Sequence, residues 1–310
     1  MSKKSIVVVG SSNTDMVIQL ERIPRPGETI LGGQFVMAAG GKGANQAVAA
    51  ARAGGDVTLV ARVGKDIFGD TAVEGFEKDG ICVDYVFRDK TNPSGVALIF
   101  VARGGENSIA VAAGANGSLS PADVHKARRA IASASVLVMQ LETPLPTVEA
   151  AAKIAAEAGV QVILNPAPAC PLSDDLLQLI SILTPNETEA ELLTGIAVTD
   201  ESSADRAADC LLTRGVKTVI ITLGPRGAFV AAEGCRGLVA GFEVQAVDST
   251  AAGDVFNGAL AVALAKEQSL PEAIRFANAA AAISVTRLGA QPSAPKRKEI
   301  KKLLDEVQAE

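Results

Sequence analysis

The sequence predicts an α/β fold: a central, mostly parallel sheet with helices on both faces, accompanied by a smaller second sheet. Three observations predict it. The chain opens on a short apolar run, Ser5-Ile-Val-Val-Val-Gly10, which reads as a buried parallel strand ending in a turn. Most of the remaining chain alternates strand-like and helix-like segments, the rhythm of βα units. Four shorter, more alternating strand-like segments, 15–20, 29–38, 95–101 and 107–112, lie among glycines and polar residues and break that rhythm. They read as excursions that build a separate sheet.

Taken in order, the segments justify themselves by pattern. After the first strand and the excursions 15–20 and 29–38, the Ala-rich stretch 44–53 predicts a helix. The apolar run 57–62 predicts a strand. Residues 67–79 predict a helix, with Phe68, Ala72 and Phe76 spaced on one face and Gly80 beyond its end. The second pair of excursions then precedes a helix at 120–132, which opens on Ser120-Pro121. Strands follow at 135–139 and 160–164, on either side of a helix at 146–158 that stops at Gly159. A short strand at 181–184 ends at Pro185. A helix at 201–214 leads to strands at 217–222 and 227–232. Helices at 252–266, 270–284 and 297–308 complete the chain. No fixed-period repeat and no long flexible linker interrupts it. The basic run from Lys296 to Lys302 reads as a solvated helix face.

Composition narrows the chemistry. The 310 residues suit one large α/β domain or two smaller ones, and the 48% apolar share is globular. There is one histidine, His125, in a polar helix-like run, so a zinc site with two or three histidines is impossible and a Ser-His-Asp triad would have to use that residue. Only 3% of residues are aromatic, which argues against a base-stacking nucleic-acid platform. The net charge of -6 argues against a phosphate-backbone partner. Cys82, Cys170, Cys210 and Cys235 form no C-x-x-C pair and read as reduced thiols of a cytoplasmic protein. The start, Met1-Ser-Lys-Lys-Ser, leads into only four apolar residues before Gly10, too few for a signal-peptide core. No apolar run approaches the roughly 18–20 residues of a membrane span.

Five segments carry candidate chemistry. Ala39-Gly-Gly-Lys-Gly-Ala-Asn45 opens a helix but is neither a P-loop nor a G-x-G-x-x-G motif. A plain turn needs one glycine, and three suggest close approach of backbone N–H groups to a polar ligand. In Asp248-Ser-Thr-Ala-Ala-Gly-Asp-Val-Phe-Asn-Gly258, the small residues Ala251, Ala252 and Gly253 start a strong helix whose N–H groups could form an anion hole. Asp254 sits in its first turn; it serves chemistry there, or it merely complements the helix dipole. In Thr184-Pro-Asn-Glu-Thr-Glu, Asn186 and Glu189 share a helix face and offer the oxygens that suit Mg²⁺, although taken by itself the segment reads better as an N-cap with acidic first-turn residues. Thr222-Leu-Gly-Pro-Arg-Gly227 is a tight turn between strands. Gly10-Ser-Ser-Asn-Thr-Asp15 ends the first strand, where open α/β sheets bind ligands. Asn13 and Asp15 there bind a polyol or simply form a turn.

Together these segments resemble the ribokinase-like carbohydrate kinases, from the first strand to about residue 293. The glycine-rich segment through Gly69 resembles one family signature and Asp248–Gly258 the other. Gly41–Ala51, Leu164-Asn-Pro-Ala-Pro-Ala169, Pro185–Ala190, Ser94–Val101 and Ala290-Gln-Pro-Ser293 also resemble the family. The resemblance implies a three-layer sandwich formed by one domain over 1–310, with a β-sheet lid from about 13–40 and 92–113. It implies transfer of the ATP γ-phosphate to the 5-hydroxyl of D-ribose. By motif, Asp254 is the base, and Ala251, Ala252 and Gly253 the anion hole. Asn13, Asp15, Gly41, Lys42, Gly43, Asn45 and Glu142 hold the sugar. Asn186, Thr222, Gly224, Arg226, Gly227, Gly253 and Asn278 serve ATP, and Glu189 organises Mg²⁺ through water. Asp248, Thr250, Ser284, Arg287, Gly289 and Ser293 match the family's K⁺ loop. Ser249-Thr250 departs slightly from common forms of that motif. The resemblance further implies a homodimer through the lid, and the composition implies no nucleic-acid or membrane partner.

Competing readings remain within and outside this class. A 2-deoxyribose or other pentose kinase would share the architecture. A non-catalytic sugar-binding protein would need no Asp at an anion-hole helix. A nicotinamide dehydrogenase needs G-x-G-x-x-G after the first strand, and Gly10-Ser-Ser-Asn-Thr-Asp15 lacks it.

Overall fold

The computed structural model describes residues 4–104 and 106–308. The ends of the 1–310 span, and Gly105 within the predicted segment 92–113, lie outside them. The elements run β1 (Ser5–Val9), β2 (Asn13–Leu20), β3 (Gln34–Gly40), α1 (Lys42–Arg52), β4 (Asp56–Gly64), α2 (Ile67–Lys78) and β5 (Cys82–Asp89). Next come β6 (Gly95–Ala102), β7 (Asn107–Ala112), α3 (Pro121–Lys126), α4 (Arg128–Ala132), β8 (Val136–Met139), α5 (Leu145–Glu157), β9 (Gln161–Leu164), α6 (Asp174–Leu177) and β10 (Ile182–Leu183). The chain ends with α7 (Glu187–Thr194), α8 (Glu201–Thr213), β11 (Thr218–Thr222), β12 (Gly227–Ala232), β13 (Cys235–Ala240), α9 (Ala252–Ala265), α10 (Leu270–Val285) and α11 (Arg297–Gln308).

The large sheet has the order β13-β12-β11-β10-β9-β8-β1-β4-β5. From β11 to β5 every neighbouring pair is parallel; β12 runs antiparallel to both of its neighbours. Its two faces bury separate cores. Alternate residues of β1 show the division: Ile6 and Val8 belong to the core that α1, α9 and α10 cover, whereas Val7 and Val9 belong to the one that α3, α5 and α8 cover. The uninterrupted apolar run that predicted β1 is therefore a strand buried on both faces.

The second sheet, β3-β2-β6-β7, collects all four predicted excursions. Asp15 pairs across to Ala38 and Ala97, and so shares a face with them. The opposite face carries Phe35, Met37 and Leu98, which are 60%, 56% and 48% exposed. The predicted strand at 29–38 lies further along, at 34–40. Gly32 and Gly33 hold positive φ just before it, and pairing of Asn13 with Gly40 extends it. The predicted helix at 120–132 divides at Ala127 into α3 and α4. β5 and β13 were not predicted; they are the two edge strands of the large sheet.

Two helices approach each other unusually closely. A Cβ on Gly258 of α9 would lie 2.6 Å from the Gln46 carbonyl oxygen and 2.8 Å from the Ala49 Cβ, both on α1. Glycine at this position lets the two helix backbones meet. The pair therefore delivers its N-terminal ends to one place, beyond the carboxyl ends of β1, β8, β9 and β10.

Candidate active site

Helix α1 starts in a tight corner. Its N-cap, Gly41, holds φ 88, and a Cβ there would lie 2.6 Å from the Asn13 nitrogen. A Cβ on Gly43 would lie 2.5 Å from the Ser11 nitrogen. The glycines thus serve chain-to-chain packing. The Lys42 N–H donates to Glu142 Oε2 at 3.0 Å, and the Gly43 N–H donates to Ser11 Oγ at 3.3 Å. Ser11 Oγ in turn donates to Glu142 Oε2 at 2.6 Å. These N–H groups, which the sequence suggested for a ligand, are satisfied by Glu142 and Ser11.

Helix α9 starts differently. Its N-cap, Ala251, is left-handed at φ 60 and ψ 14, and no side chain caps the helix. For a residue with a Cβ this conformation costs about 1–2 kcal/mol. The Ala252 N–H turns back to the Ser249 carbonyl at 3.2 Å, so of the three predicted donors this one already has a partner. A Cβ on Gly253 would meet nothing within 4 Å.

Asp254 follows, buried in the first turn. Asn45 Nδ2 donates to its Oδ2 and Gln46 Nε2 to its Oδ1, each at 2.9 Å. Burial pushes its carboxyl above the ordinary range, while the Lys42 charge and the two amide donors pull it back. Lys42 is held above its ordinary value: burial works against the cation, but Asp254, Glu142 and Glu189 outweigh it. Asp15 is pushed up to about 6 by burial first, then by Glu142 and Asp254. The fold thus brings Asp15, Lys42, Glu142, Glu189 and Asp254 from five separate segments into one electrostatic cluster. Asn45 Oδ1 is buried and has no hydrogen-bond partner among the described residues. Asn13 Oδ1 accepts from Asn116 Nδ2 at 2.7 Å.

A polar cavity of about 170 Å³ lies against this cluster. Lys42, Thr222, Gly253 and Asp254 line it, together with Asn186 and Glu189. The last two form a reciprocal capping box at the start of α7. The Glu189 N–H donates to Asn186 Oδ1 at 2.8 Å, and the Asn186 N–H to Glu189 Oε2 at 2.9 Å. The capping explanation and the cavity location hold together. Burial pushes the Glu189 carboxyl up, against the opposing Asn186 hydrogen bond and Lys42 charge.

A second, more apolar cavity of about 520 Å³ adjoins it across Ser249 and Ala252. Gly224, Arg226, Gly227, Phe242, Val244 and Val285 contribute to its walls. Gly227 holds φ 99, and a Cβ there would lie 2.2 Å from the Val239 carbonyl oxygen. Asn278 also lines this cavity, with its amide donating to the Val239 and Ala240 carbonyls at 3.0 and 3.1 Å. Arg226 is directed to the Thr199 carbonyl and Glu187.

The residues suggested for a monovalent cation lie just before α9 and from the last turn of α10 to the segment after it. Asp248 accepts from the Thr250 N–H at 2.9 Å and the Gly289 N–H at 2.8 Å, so one carboxylate joins the two loops. Burial opposes its charge, but these hydrogen bonds outweigh it and hold its carboxyl below the ordinary value. Ser284 and Ser293 are buried, with their hydroxyls donating to the Ala281 and Ala290 carbonyls. Arg287 turns away to Glu299. The remaining donors are oxygens, the chemistry a hard cation takes.

The comparisons decide the family. The profile of the pfkB family carbohydrate kinases matches residues 3–297. The chain belongs to this family. It is 50% identical over 303 residues to a ribokinase of Haemophilus influenzae, covering 98% of this chain and 99% of that one. It is 43% identical to a ribokinase of Staphylococcus aureus, covering 95% and 98%. A structure of Arabidopsis thaliana ribokinase complexed with ribose and ATP superposes with a TM-score of 0.89 at 36% identity, covering 98% of this chain and 99% of that one.

Several residues of the site escaped sequence reasoning. Ser11, Asn116, Gln140, Thr184 and Asn257 are buried polar side chains bonded to or beside the cluster. Their signal was position: Ser11, Gln140, Asn165 and Thr184 all follow the carboxyl ends of parallel strands. Among the described residues no helix is long and apolar enough to cross a membrane.

Proposed function

We propose that the chain transfers the γ-phosphoryl group of ATP to O5 of D-ribose, giving D-ribose 5-phosphate and ADP. One observation carries the reading: a buried carboxylate, Asp254, faces a polar cavity at an uncapped helix start. Asp254 takes the O5 proton as the O5–P bond forms. The P–O bond to the β-phosphate breaks, and ADP leaves with that electron pair. The N-terminal end of α9 at Ala251, Ala252 and Gly253 meets the charge spread over the transferred oxygens. Lys42 adds a cation on the same wall. Asn13, Asp15, Asn45 and Glu142 hold the sugar, with the unpartnered Asn45 Oδ1 ready to accept a hydrogen bond from a sugar hydroxyl. Gly41 and Gly43 act indirectly, by letting α1 approach.

The triphosphate lies in the polar cavity and the base in the apolar one, between Phe242, Val244, Gly227 and the side chain of Asn278. When bound, Mg²⁺ neutralises phosphate charge; Glu189 and Asn186 offer the hard oxygen atoms that would hold it through water. K⁺ would take the oxygens around Asp248, Thr250, Ser284, Gly289 and Ser293. The chain forms one domain, with the second sheet as a lid that carries Asp15 to the site. The exposed Phe35, Met37 and Leu98 support pairing of two lids in a homodimer. A cytoplasmic location without nucleic-acid or membrane partners completes the reading, in keeping with the net charge of -6.

An ADP-release assay over ribose, 2-deoxyribose, fructose and adenosine, with and without K⁺, tests this. Ribose should give the highest kcat/KM, and K⁺ should raise it. A preference for 2-deoxyribose would overturn the sugar assignment, because a site built to bind a hydroxyl disfavours its deoxy analogue.

A further inference from the structure

Asp254 is anchored by a closed hydrogen-bond circuit. Gln46, fully buried on α1, uses both protons of its amide: one goes to Asp254 Oδ1 at 2.9 Å, the other to Asn165 Oδ1 at 3.2 Å. Asn165 Nδ2 donates to the Thr184 carbonyl at 3.1 Å, and Thr184 Oγ1 donates to Asn257 Oδ1 at 2.7 Å. Asn257 Nδ2 then donates to the Gly253 carbonyl at 2.8 Å, on the peptide that precedes Asp254. From behind, Gln140 Nε2 donates to Gln46 Oε1 at 2.6 Å.

The polarity of this circuit has one solution. An ionised carboxylate only accepts, so Gln46 must present its NH₂ to Asp254. Its oxygen then faces Gln140, which must present NH₂ in turn. That leaves Gln140 Oε1 buried and unpartnered, 2.1 Å from where a Cβ on Gly10 would lie. Leaving such a group unpaired costs about 1–3 kcal/mol, and the orientation imposed by Asp254 accounts for it. Each later donor is oriented by the one before it.

We propose that Gln46 is a positioning residue for phosphoryl transfer, acting through Asp254 as the head of the Gln140–Gln46–Asn165–Thr184–Asn257 circuit. It fixes the carboxylate rotamer against the start of α9 and keeps the carboxylate in its accepting form. Lys42, Glu142, Asp15 and Glu189 are the other charged groups facing Asp254. None of them is hydrogen-bonded to Oδ1, to which Gln46 alone donates among the described side chains.

The inference rests on Asp254 being the base, and the test separates the two. Gln46→Met keeps the side-chain volume and removes the amide. We expect kcat to fall about 10–100-fold, with the KM values for ribose and ATP within about twofold. In an Asp254→Asn background the same change should cost no further rate, because Gln46 acts only through that carboxylate. Gln140→Met, which lies behind Gln46 and away from the cavity, should show a smaller fall with the same split. That variant serves if Gln46→Met does not fold. An unchanged kcat in the folded variant would overturn the proposal. So would an equal loss in the Asp254→Asn background, or a loss confined to KM. Near-normal turnover of Asp254→Asn alone would instead remove the base assignment itself.

Discussion

At the start of α1 the first N–H groups are closed off: Lys42 and Gly43 donate to Glu142 and Ser11, and the glycines fit where a Cβ would strike the turn after β1. At the start of α9 no side chain caps the helix, the N-cap Ala251 sits in a costly left-handed conformation, and the space beside Gly253 is open. The two helices meet at the same carboxylate. Both carry small residues at their first turn, yet for opposite reasons. In α1 smallness lets protein approach protein, whereas in α9 it leaves room for something else. Glycine content alone therefore does not mark a ligand loop; the distinction lies in whether the helix N–H groups have partners.

The comparison can be broken in four ways. The largest effect belongs to Asp254→Asn, which should lower kcat by about 10²–10⁴ while the melting temperature is kept. Steady-state turnover with a thermal melt decides it, and near-normal turnover would defeat the mechanism. Next come the paired substitutions Gly253→Ala and Gly43→Ala. The first should lower kcat by up to about 10²-fold with no loss of melting temperature, since the added methyl enters open space. The second should cost about 1–3 kcal/mol of stability, because its methyl meets backbone. Equal melting temperatures for the two variants would erase the contrast between the helices.

A pH-dependent effect follows from Asp15. Its carboxyl titrates at about 6 when folded, against an ordinary 3.8. Between those values the folded state holds a proton that the unfolded state has lost, so stability falls as pH rises through this window. Asp15→Asn should accordingly raise the melting temperature of the free protein above pH 6 and change it least below pH 4. Melting curves at pH 4 and 7.5 check this; a larger gain at the acidic end would reverse the sign. The smallest effect is Ala251→Gly. Relief of the left-handed alanine should add up to about 1 kcal/mol, seen as a rise of a few degrees at most. A fall in melting temperature would remove the strain assigned to this N-cap.

Most of the fold was legible because its strands are buried on two faces and its helices stop at glycines. β1 needed only Ile6-Val-Val-Val9. The two missed strands share a cause. In β5, Asp84 and Arg88 interrupt the apolar pattern, and in β13 burial merely alternates between half-exposed and exposed. Neither edge strand is fully covered on both faces, so neither shows the continuous buried apolar run of a central strand. At the site, Asp254 and Asn186 stood out through their neighbours. Gln46 and Gln140 did not. A buried amide leaves no local pattern; its partners lie 208 and 94 positions away in sequence. Long-range polar pairing becomes visible only when the strands place their carboxyl ends together.

Gly258 sits one turn beyond Asp254 and lines neither cavity at the site, yet it sets the separation between the helix that bears the carboxylate and the helix that aims it. Its missing side chain acts as a shim of zero thickness. A single methyl there would push the two helix axes apart and misalign the reacting atoms without touching either substrate. Alignment in this molecule is machined at a joint behind the site, so a survey confined to ligand-facing residues would overlook a position that has no room for a methyl group.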